Sequence, residues 1–565
     1  SWNLEKNTFS FLFRWMIFII YGMGQLHKIL LSGLLVCTEL TFFAQEFEQL
    51  VKITANERGS SDHFGYASCI DGNWAIVGSH WEDEDENDMS TLDNAGAAYV
   101  YSQSPSGVWI QSQKLVSSDR SASDYFGWSV AISGNYAIIG AYWDDEDAAG
   151  SNTMDASGAA YIFEMNADSV WVEVQKITAS DRWYGAWFGY EVRIDNDRAL
   201  VGAHREDKDT SGGNELTDSG AAYIFERGVN GVWSEVGKLV ASDRQAEDWF
   251  GQHLAISGDV ALVGASEEDE DENGGNNMNS SGSVYVFERD EGGSWNQTQK
   301  LVASNRAAFD QFGWGLAVSG DQALISAPAE DDDADGLNSL SSSGSLFVFE
   351  RQAGGMWLEI QKLVAFDRSA FANFGWAVAV SEDMAVVSAI NEAFDLNGEN
   401  EMQAAGAGYI LNRDEGGVWS VEQKIVPNVR GALDYFASGV GISGNWVVAS
   451  AYWEDEDSAD LNYIENAGSA YLFSSGDNPT RINTSAPFEF SVGPNPTSGK
   501  LNILLPEIAG KYSVQLLTLS GDKVWSGTCS GILSTTLNIT GPAGVYLLEV
   551  SSPQGFMVMT RIVKY

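Results

Sequence analysis

The 565-residue chain contains little cysteine and little proline. Its cysteines, Cys37, Cys69 and Cys529, are widely separated, which argues against a disulfide framework as the source of stability. Ten prolines beside 59 glycines are typical of many short strands joined by tight turns. Stability must then come from packed cores, for which a hydrophobic content of 44% is ample.

Basic residues are also scarce. The chain has 31 Lys and Arg against 79 Asp and Glu, which gives a formal net charge of −48. A surface of this sign repels nucleic-acid phosphates and anionic lipids, so we expect neither as a partner. Metal cations and basic or neutral molecules remain possible ligands.

Long apolar runs are confined to the N-terminal region. We predict a signal peptide with an upstream segment over residues 1–45, with Met23 as the translation start. Lys28 precedes the short apolar run Ile29–Cys37, which suits a secretory signal better than an anchor. A longer anchor that also uses Phe9–Ile20 is the alternative. No later stretch is long enough to span a bilayer, so we expect no stable membrane span in the mature protein.

A repeat of 62 residues fills most of the chain. Each copy holds four strand-like segments, A to D; in copy two, segment B is Tyr136–Ala141, and an acidic loop joins B to C. Short strands at a fixed period predict an all-β fold with one blade per copy, and so a seven-bladed β-propeller. The pairs that open segment A are Phe64-Gly65, Phe126-Gly127, Phe188-Gly189, Phe250-Gly251, Phe312-Gly313, Phe374-Gly375 and Phe436-Ala437.

The phase of the repeat predicts how the ring closes. Six copies carry a tryptophan that opens segment D, but the seventh position is Arg481 in a polar stretch. The segment Glu46–Ile53 matches the D pattern, with Lys52 in phase with Lys114. We therefore predict that this N-terminal strand completes the last blade.

These units resemble FG-GAP repeats over residues 46–474. The resemblance is carried by the Phe-Gly pairs, by Gly140-Ala141 at the end of segment B and by the segment C sequence from Gly158. The family includes the integrin α-subunit head, which implies a propeller used for adhesion or ligand binding. Integrin-type repeats place a calcium loop between strands A and B. Here that link is a tight turn, so those calcium ligands are not carried over.

Residues 488–565 form a different unit after a polar linker, 475–487. The Pro-Asn-Pro element at Pro494 and the Gly-Val-Tyr element at Gly544 resemble the type A C-terminal sorting domain of the type IX secretion system of Bacteroidetes. This implies a small immunoglobulin-like β-sandwich, the secretion machinery as a partner, and a secreted or outer-cell-surface location. An ordinary immunoglobulin-like module is the alternative.

The acidic B–C loops are the candidate metal sites. An aspartate recurs in all seven copies, and residues 269–274 and 331–336 form Asp-x-Asp-x-Asn/Asp-Gly patterns that gather oxygens on a hard cation. Ser280 and Ser342 stand where an EF-hand has its late bidentate acid. The alternative is a solvated loop that keeps the protein soluble. The predicted Ca²⁺ ligands are Asp83, Asp85, Asp145, Asp147, Asp269, Asp271, Asn273, Asp331, Asp333, Asp335, Asp455 and Asp457.

Two further sets of residues, one of arginines and one of tryptophans, lie on the same face of the predicted ring as the acidic loops. An arginine recurs in every D–A loop; a structural ion pair or carbonyl clamp is the favoured role, and contact with an anionic sugar or carboxylate is the alternative. Trp81, Trp143 and Trp453 share one phase and fall in neighbouring blades seven, one and two. Clustered exposed aromatics stack on sugars or anchor a protein, whereas packing beneath the loop is the alternative.

Signals for catalysis are weak. The five histidines do not repeat in phase, and no nucleophile elbow or phosphate loop is present. We expect a non-enzymatic binding or adhesion propeller whose ligand is an extracellular protein or glycan. A carbohydrate-active enzyme is the alternative, and a single out-of-phase pair of acids near the ring axis would favour it.

Overall fold

The computed structural model describes residues 46–104 and 107–476, and in the C-terminal region 491–493, 500–504, 511–518, 523–530, 534–539, 542, 544–551 and 557–564. The predicted leader, 1–45, and residues 477–487 of the predicted linker lie outside this part of the chain. Every regular element within it is a β-strand. None of its segments is a helix long and apolar enough to cross a membrane.

Each repeat folds into a four-stranded antiparallel sheet in the order A-B-C-D. The A strands are β2 (Ser68–Asp71), β6 (Ser129–Ser133), β10 (Val192–Asp195), β14 (His253–Ser257), β18 (Leu316–Ser319), β22 (Phe374–Ser381) and β26 (Val440–Ser443). The B strands are β3 (Trp74–Ser79), β7 (Tyr136–Ala141), β11 (Arg198–Ala203), β15 (Val260–Ala265), β19 (Gln322–Ala327), β23 (Met384–Ala389) and β27 (Trp446–Ala451).

The C strands are β4 (Ala97–Gln103), β8 (Ala159–Met165), β12 (Ala221–Arg227), β16 (Ser283–Arg289), β20 (Ser345–Arg351), β24 (Ala407–Arg413) and β28 (Ser469–Ser474). The D strands are β5 (Trp109–Leu115), β9 (Trp171–Ile177), β13 (Trp233–Leu239), β17 (Trp295–Leu301), β21 (Trp357–Leu363), β25 (Trp419–Ile425) and, from the N-terminus, β1 (Glu48–Ile53).

The seven sheets form a closed ring. Each A strand contacts the A strand of the next blade, and β26 contacts β2, so the A strands surround the axis. In blade seven the order is β1-β28-β27-β26, with Glu48 opposite Ser474 and Ile53 opposite Ala470. The predicted seven-bladed propeller, with its last blade completed by the N-terminal strand, is confirmed.

Burial follows the sequence pattern of each strand. In β7 every residue after Tyr136 is buried, whereas β9 alternates exposed with less exposed positions from Trp171 to Gln175, as expected for an outer strand. The repeated Phe-Gly pair joins neighbouring blades: buried Phe126 bridges Gly96 of the preceding blade. Gly96 has φ +85°, and a Cβ there would lie 2.0 Å from the Phe126 carbonyl oxygen, so the contact requires glycine.

The C-terminal unit contains two antiparallel sheets. One has the order β29-β30-β33 and the other β32-β31-β34-β35. Val514 and Leu516 on β31, and Leu548 and Val550 on β34, are buried, so the larger sheet has one covered face. Their bounds are β29 (Ser491–Gly493), β30 (Lys500–Leu504), β31 (Lys511–Thr518), β32 (Lys523–Ser530), β33 (Ser534–Asn538), β34 (Gly544–Ser551) and β35 (Met557–Lys564).

Candidate functional site

The B–C and D–A loops meet on one face of the ring, which we call the loop face. Arg120 in a D–A loop donates from Nη2 to the Asp83 carbonyl oxygen in the B–C loop of the preceding blade, at 2.8 Å. The same bond recurs around the ring, so the repeated arginines act as the predicted carbonyl clamp. The other pairs are Arg58–Asp455, Arg182–Asp145, Arg244–Asp207, Arg306–Asp269, Arg368–Asp331 and Arg430–Ala393.

The first acid of each B–C loop is buried in an ion pair. Asp144 lies 2.8 Å from the Nζ of Lys176 on strand D and accepts a hydrogen bond from the Tyr161 hydroxyl. A buried charge is tolerated when it is paired and hydrogen-bonded, and here all three side chains are fixed together. The equivalent pairs are Glu82–Lys114, Glu206–Lys238, Glu268–Lys300, Glu330–Lys362, Glu392–Lys424 and Glu454–Lys52.

The two following aspartates hold the loop backbone; both are present in every blade except the sixth, where Ala393 replaces the first. Asp145 Oδ1 accepts the Ala156 N–H at 2.7 Å, which ties the start of the loop to its end. Asp147 Oδ1 accepts N–H groups from Ala149 and Ser151, both at 3.0 Å, and Oδ2 accepts the Asn152 amide. These bonds, with that from Ser151 the largest, hold the pKa of Asp147 at about 2.

The candidate calcium ligands of the other blades follow this pattern. In blade four, Asp269 accepts the Ser280 N–H at 2.7 Å, and Asp271 accepts the N–H groups of Asn273 and Gly275 at 2.8 and 3.0 Å. Asp83, Asp331 and Asp455 repeat the first contact, and Asp85, Asp333 and Asp457 the second; Asp335 donates its N–H to Asp333.

In this geometry the carboxylates face donors of their own loop. Among the residues described, no group of three or more His, Cys, Asp or Glu is placed to hold a metal ion. The arrangement fits loop stabilisation better than a preformed cation site, and calcium binding stays a prediction.

The three predicted tryptophans belong to a connected aromatic patch. Trp81 stacks on His63 with ring centroids 4.1 Å apart, and Trp453 lies 6.4 Å from the same imidazole. Trp143 packs edge-on against Tyr125 at 5.6 Å, and the ring of His80 connects Tyr125 with Trp81. Trp81 and Trp143 remain 39% and 40% exposed, so each is both packed and accessible. We define the aromatic patch as His63, Trp81, Tyr125, Trp143, Tyr435 and Trp453.

Sequence reasoning missed the residue that precedes each Phe-Gly pair. His63, Tyr125 and Tyr435 occupy it within the patch, at φ 54–56°. The left-handed region is unusual for bulky side chains, and all seven copies adopt it at this position, so the conformation belongs to the turn that opens each blade. The signal was present in the sequence, because five of the seven copies carry an aromatic or histidine ring there. The other four residues of this series are Trp187, Trp249, Gln311 and Asn373.

Comparison with protein families matches both parts of the chain. A model of the FG-GAP repeat matches seven segments, each running from strand D of one blade to strand C of the next. The secretion system C-terminal sorting domain matches residues 491–564, which indicates export by type IX secretion to the cell surface or extracellular space in Bacteroidetes. The FG-GAP segments are 47–101, 109–163, 171–225, 233–287, 295–349, 357–411 and 419–473.

Comparison with curated proteins gives no match. Among solved structures, a crystal structure of a protein from Lactobacillus plantarum is similar, with 13% identity and a TM-score of 0.32. The match covers 63% of this chain and 96% of that chain. The family match extends over most of the sequence, and this chain therefore belongs to the FG-GAP repeat proteins and carries a C-terminal sorting domain for type IX secretion.

Proposed function

We propose that this exported propeller binds neutral saccharides on its loop face and does not transform them. The observation that carries the proposal is the aromatic patch. Trp81 and Trp143 are each about two-fifths exposed and are held in place by ring contacts with His63 and Tyr125. Rigid, half-exposed aromatic faces offer apolar area at little entropic cost, which suits the C–H faces of sugar rings.

The negative charge of the protein favours neutral over anionic saccharides as ligands. The net charge of −48 disfavours sulfated and uronic-acid polymers through repulsion, whereas neutral sugars are unaffected. The recurring acids of the B–C loops have structural partners: Asp144 is paired with Lys176, and Asp145 and Asp147 accept loop N–H groups. Glycosidases commonly need two carboxyl groups free to act on the substrate, so this arrangement supports binding rather than hydrolysis.

A mixed array of neutral glycans, anionic glycans and extracellular matrix proteins tests the proposal. The test variant replaces Trp81 and Trp143 by alanine and Trp453 by asparagine, the residues that blades five and six carry at this phase, Ala329 and Asn391. We expect the wild type to bind neutral glycans and the variant to lose the signal. The control is Phe309→Ala with Phe371→Ala, because both phenylalanines are 62% exposed outside the patch.

Two outcomes would overturn the proposal. One is a wild-type protein that binds no neutral glycan on the array. The other is a triple tryptophan variant that retains full binding while the phenylalanine control also binds. A protein bound in place of any glycan, with the signal lost in the tryptophan variant, would assign the patch to a protein ligand instead.

A further inference from the structure

The inner strands enclose a cavity of about 340 Å³ lined by residues of all seven blades. One aromatic or imidazole ring per blade contributes to its wall, so apolar ring faces lie beside polar side chains. The volume lies near the lower end of the range of about 300–1,000 Å³ for small-ligand sites. The seven rings belong to Tyr66, Trp128, Tyr190, His253, Trp314, Trp376 and Tyr452.

Only blade three places charged side chains in this cavity. At the phase of Glu191 the other blades carry Ala67, Ser129, His253, Gly315, Ala377 and Gly439. At the phase of Arg193 they carry Cys69, Ala131, Ala255, Ala317, Ala379 and Gly441. Six blades thus show that the fold is built without an ion pair here. A partly exposed ion pair contributes little to stability, so its presence in one blade points to a ligand.

The pair is set among polar groups. Arg193 forms a salt bridge with Glu191, and its Nη1 donates to the Val192 carbonyl oxygen at 2.9 Å. Burial raises the pKa of Glu191, and Arg193 opposes the rise. Burial raises the pKa of Tyr66 and of Tyr190, and the charge of Glu191 adds to the rise.

His253 adds a ring nitrogen that has no hydrogen-bond partner. Its Nε2 is buried and makes no hydrogen bond, although buried polar atoms normally have one. Burial, followed by Arg193, lowers the pKa of His253 to about 3, so the ring is neutral at physiological pH and its two nitrogens supply one donor and one acceptor. A neutral hydroxyl compound could satisfy this atom.

Ring contacts connect the cavity to the aromatic patch. Trp81 contacts His80 at 5.6 Å, His80 contacts Tyr66 at 4.4 Å, and Tyr66 contacts Trp128 at 4.4 Å. Tyr66 and Trp128 line the cavity. A chain of ring contacts through the buried His80 therefore connects the exposed Trp81 with the wall of the cavity.

We propose that this cavity binds the terminal one or two sugar units of a neutral glycan, an inference that rests on the proposed function. The aromatic rings contact the faces of the sugar. Glu191 accepts from its hydroxyls, Arg193 donates to them, and His253 Nε2 gains a hydroxyl partner. Glu191 is the sole carboxylate among the lining residues, so the cavity lacks the pair of acids used by most glycosidases.

The repeat provides the test variant. Glu191→Ser with Arg193→Ala gives blade three the residues of blade two, Ser129 and Ala131, so we expect the variant to fold with little change in Tm. Glu191→Gln keeps the side-chain shape and serves as a second variant. Glu288→Ser with Arg351→Ala removes another ion pair, 2.8 Å apart and outside the cavity, as the matched control.

Calorimetric titration of the full exported chain with glucose, galactose, mannose, cellobiose, maltose and lactose gives the readout. We expect at least one sugar to bind the wild type and the control equally. We expect Kd to rise about tenfold or more in both cavity variants, because the groups removed bind the hydroxyls directly. A sugar that binds both cavity variants as well as the wild type would overturn the cavity site and leave the proposed function standing. Failure of all six sugars would also overturn the cavity site. In that case, glycan binding by the array would preserve the proposed function, and its absence there would overturn both.

Discussion

The side-chain amide of Gln423 forms two hydrogen bonds with the backbone of Phe47. Phe47 N–H donates to Gln423 Oε1 at 2.8 Å, and Gln423 Nε2 donates to the Phe47 carbonyl oxygen at 2.7 Å. Gln113 makes the same two bonds to Trp171 between blades one and two. The start of the N-terminal strand is thus held by the contact that joins other neighbouring blades, although it comes from the opposite end of the array.

The first prediction concerns this closure. Deletion of Glu46–Ala55 should lower Tm strongly, because blade seven loses β1 and the edge of β28 becomes unpaired. Gln423→Ala should lower Tm less, and about as much as Gln113→Ala, since each removes two hydrogen bonds. Thermal unfolding followed by circular dichroism measures all three. A deletion variant with the wild-type Tm would contradict the closed ring.

Much of this architecture is predictable because the repeat supplies its own internal comparison. The 62-residue phase places every Phe-Gly pair, and it identifies the N-terminal strand as the missing D strand. Contacts between loops are harder to predict, because the residue type does not show which partner a carboxylate has. The same aspartate can bind a cation, pair with a lysine such as Lys176 or accept an N–H group. The cavity was missed for a different reason. Glu191 and Arg193 occur in one copy of the repeat only, whereas a comparison of equivalent positions singles out residues that recur in every copy.

The second prediction uses a substitution within the repeat. In four blades the strand-D lysine also contacts an aspartate of the D–A loop, as Lys176 contacts Asp119 at 2.8 Å. Blade seven has Val429 there, and Lys52 instead contacts Asp460, at 2.8 Å, from the B–C loop. Asp460→Asn should therefore lower the free energy of unfolding by about 1 kcal/mol.

Adding Val429→Asp to Asp460→Asn should restore that stability, because the new carboxylate takes the position that Asp119 has in blade two. The same Val429→Asp change in the wild type should have little effect, since Lys52 already contacts two carboxylates. Urea unfolding of the four proteins gives the coupling energy. Equal effects of Val429→Asp in both backgrounds would contradict the assigned exchange.

The third prediction is a loss of stability with rising pH. Asp124 is buried, and desolvation, then Asp144 and Glu146, raises its pKa to about 8 against the opposing effects of the Ser121 N–H and of Lys176. The unfolded value is about 4, so the folded state binds more protons between these values. The stabilisation is complete below pH about 4 and disappears as pH rises through about 8. Asp62, Asp248, Asp310 and Asp434 share the position, each with a pKa raised to about 7.

We therefore expect Tm to fall from pH 5 to pH 8 and the slope to decrease in Asp124→Asn. Blades three and six carry Ala186 and Ala372 at this position, so the fold tolerates an uncharged residue. Scanning fluorimetry across this range measures the slope. A slope that is identical in the variant would contradict the assignment to Asp124.

The fourth prediction separates two roles of the acidic loops. Asp271→Ala with Asp333→Ala should lower Tm in the presence of a chelator, because each carboxylate accepts two loop N–H groups. The calcium prediction adds a rise in Tm on adding Ca²⁺ to the wild type, absent from the variant. Equal Tm values in chelator would contradict the structural role. A wild-type Tm that calcium does not change would contradict the calcium prediction.

The most direct measurement of the central claim is affinity electrophoresis of the exported protein in native gels containing neutral or anionic polysaccharides. The account predicts slower migration in a gel with a neutral glucan, mannan or galactan and unchanged migration with an anionic polymer. The variant lacking Trp81, Trp143 and Trp453 should migrate as in a polysaccharide-free gel. Wild-type mobility that is the same in every neutral gel as in the empty gel would contradict saccharide binding by this propeller.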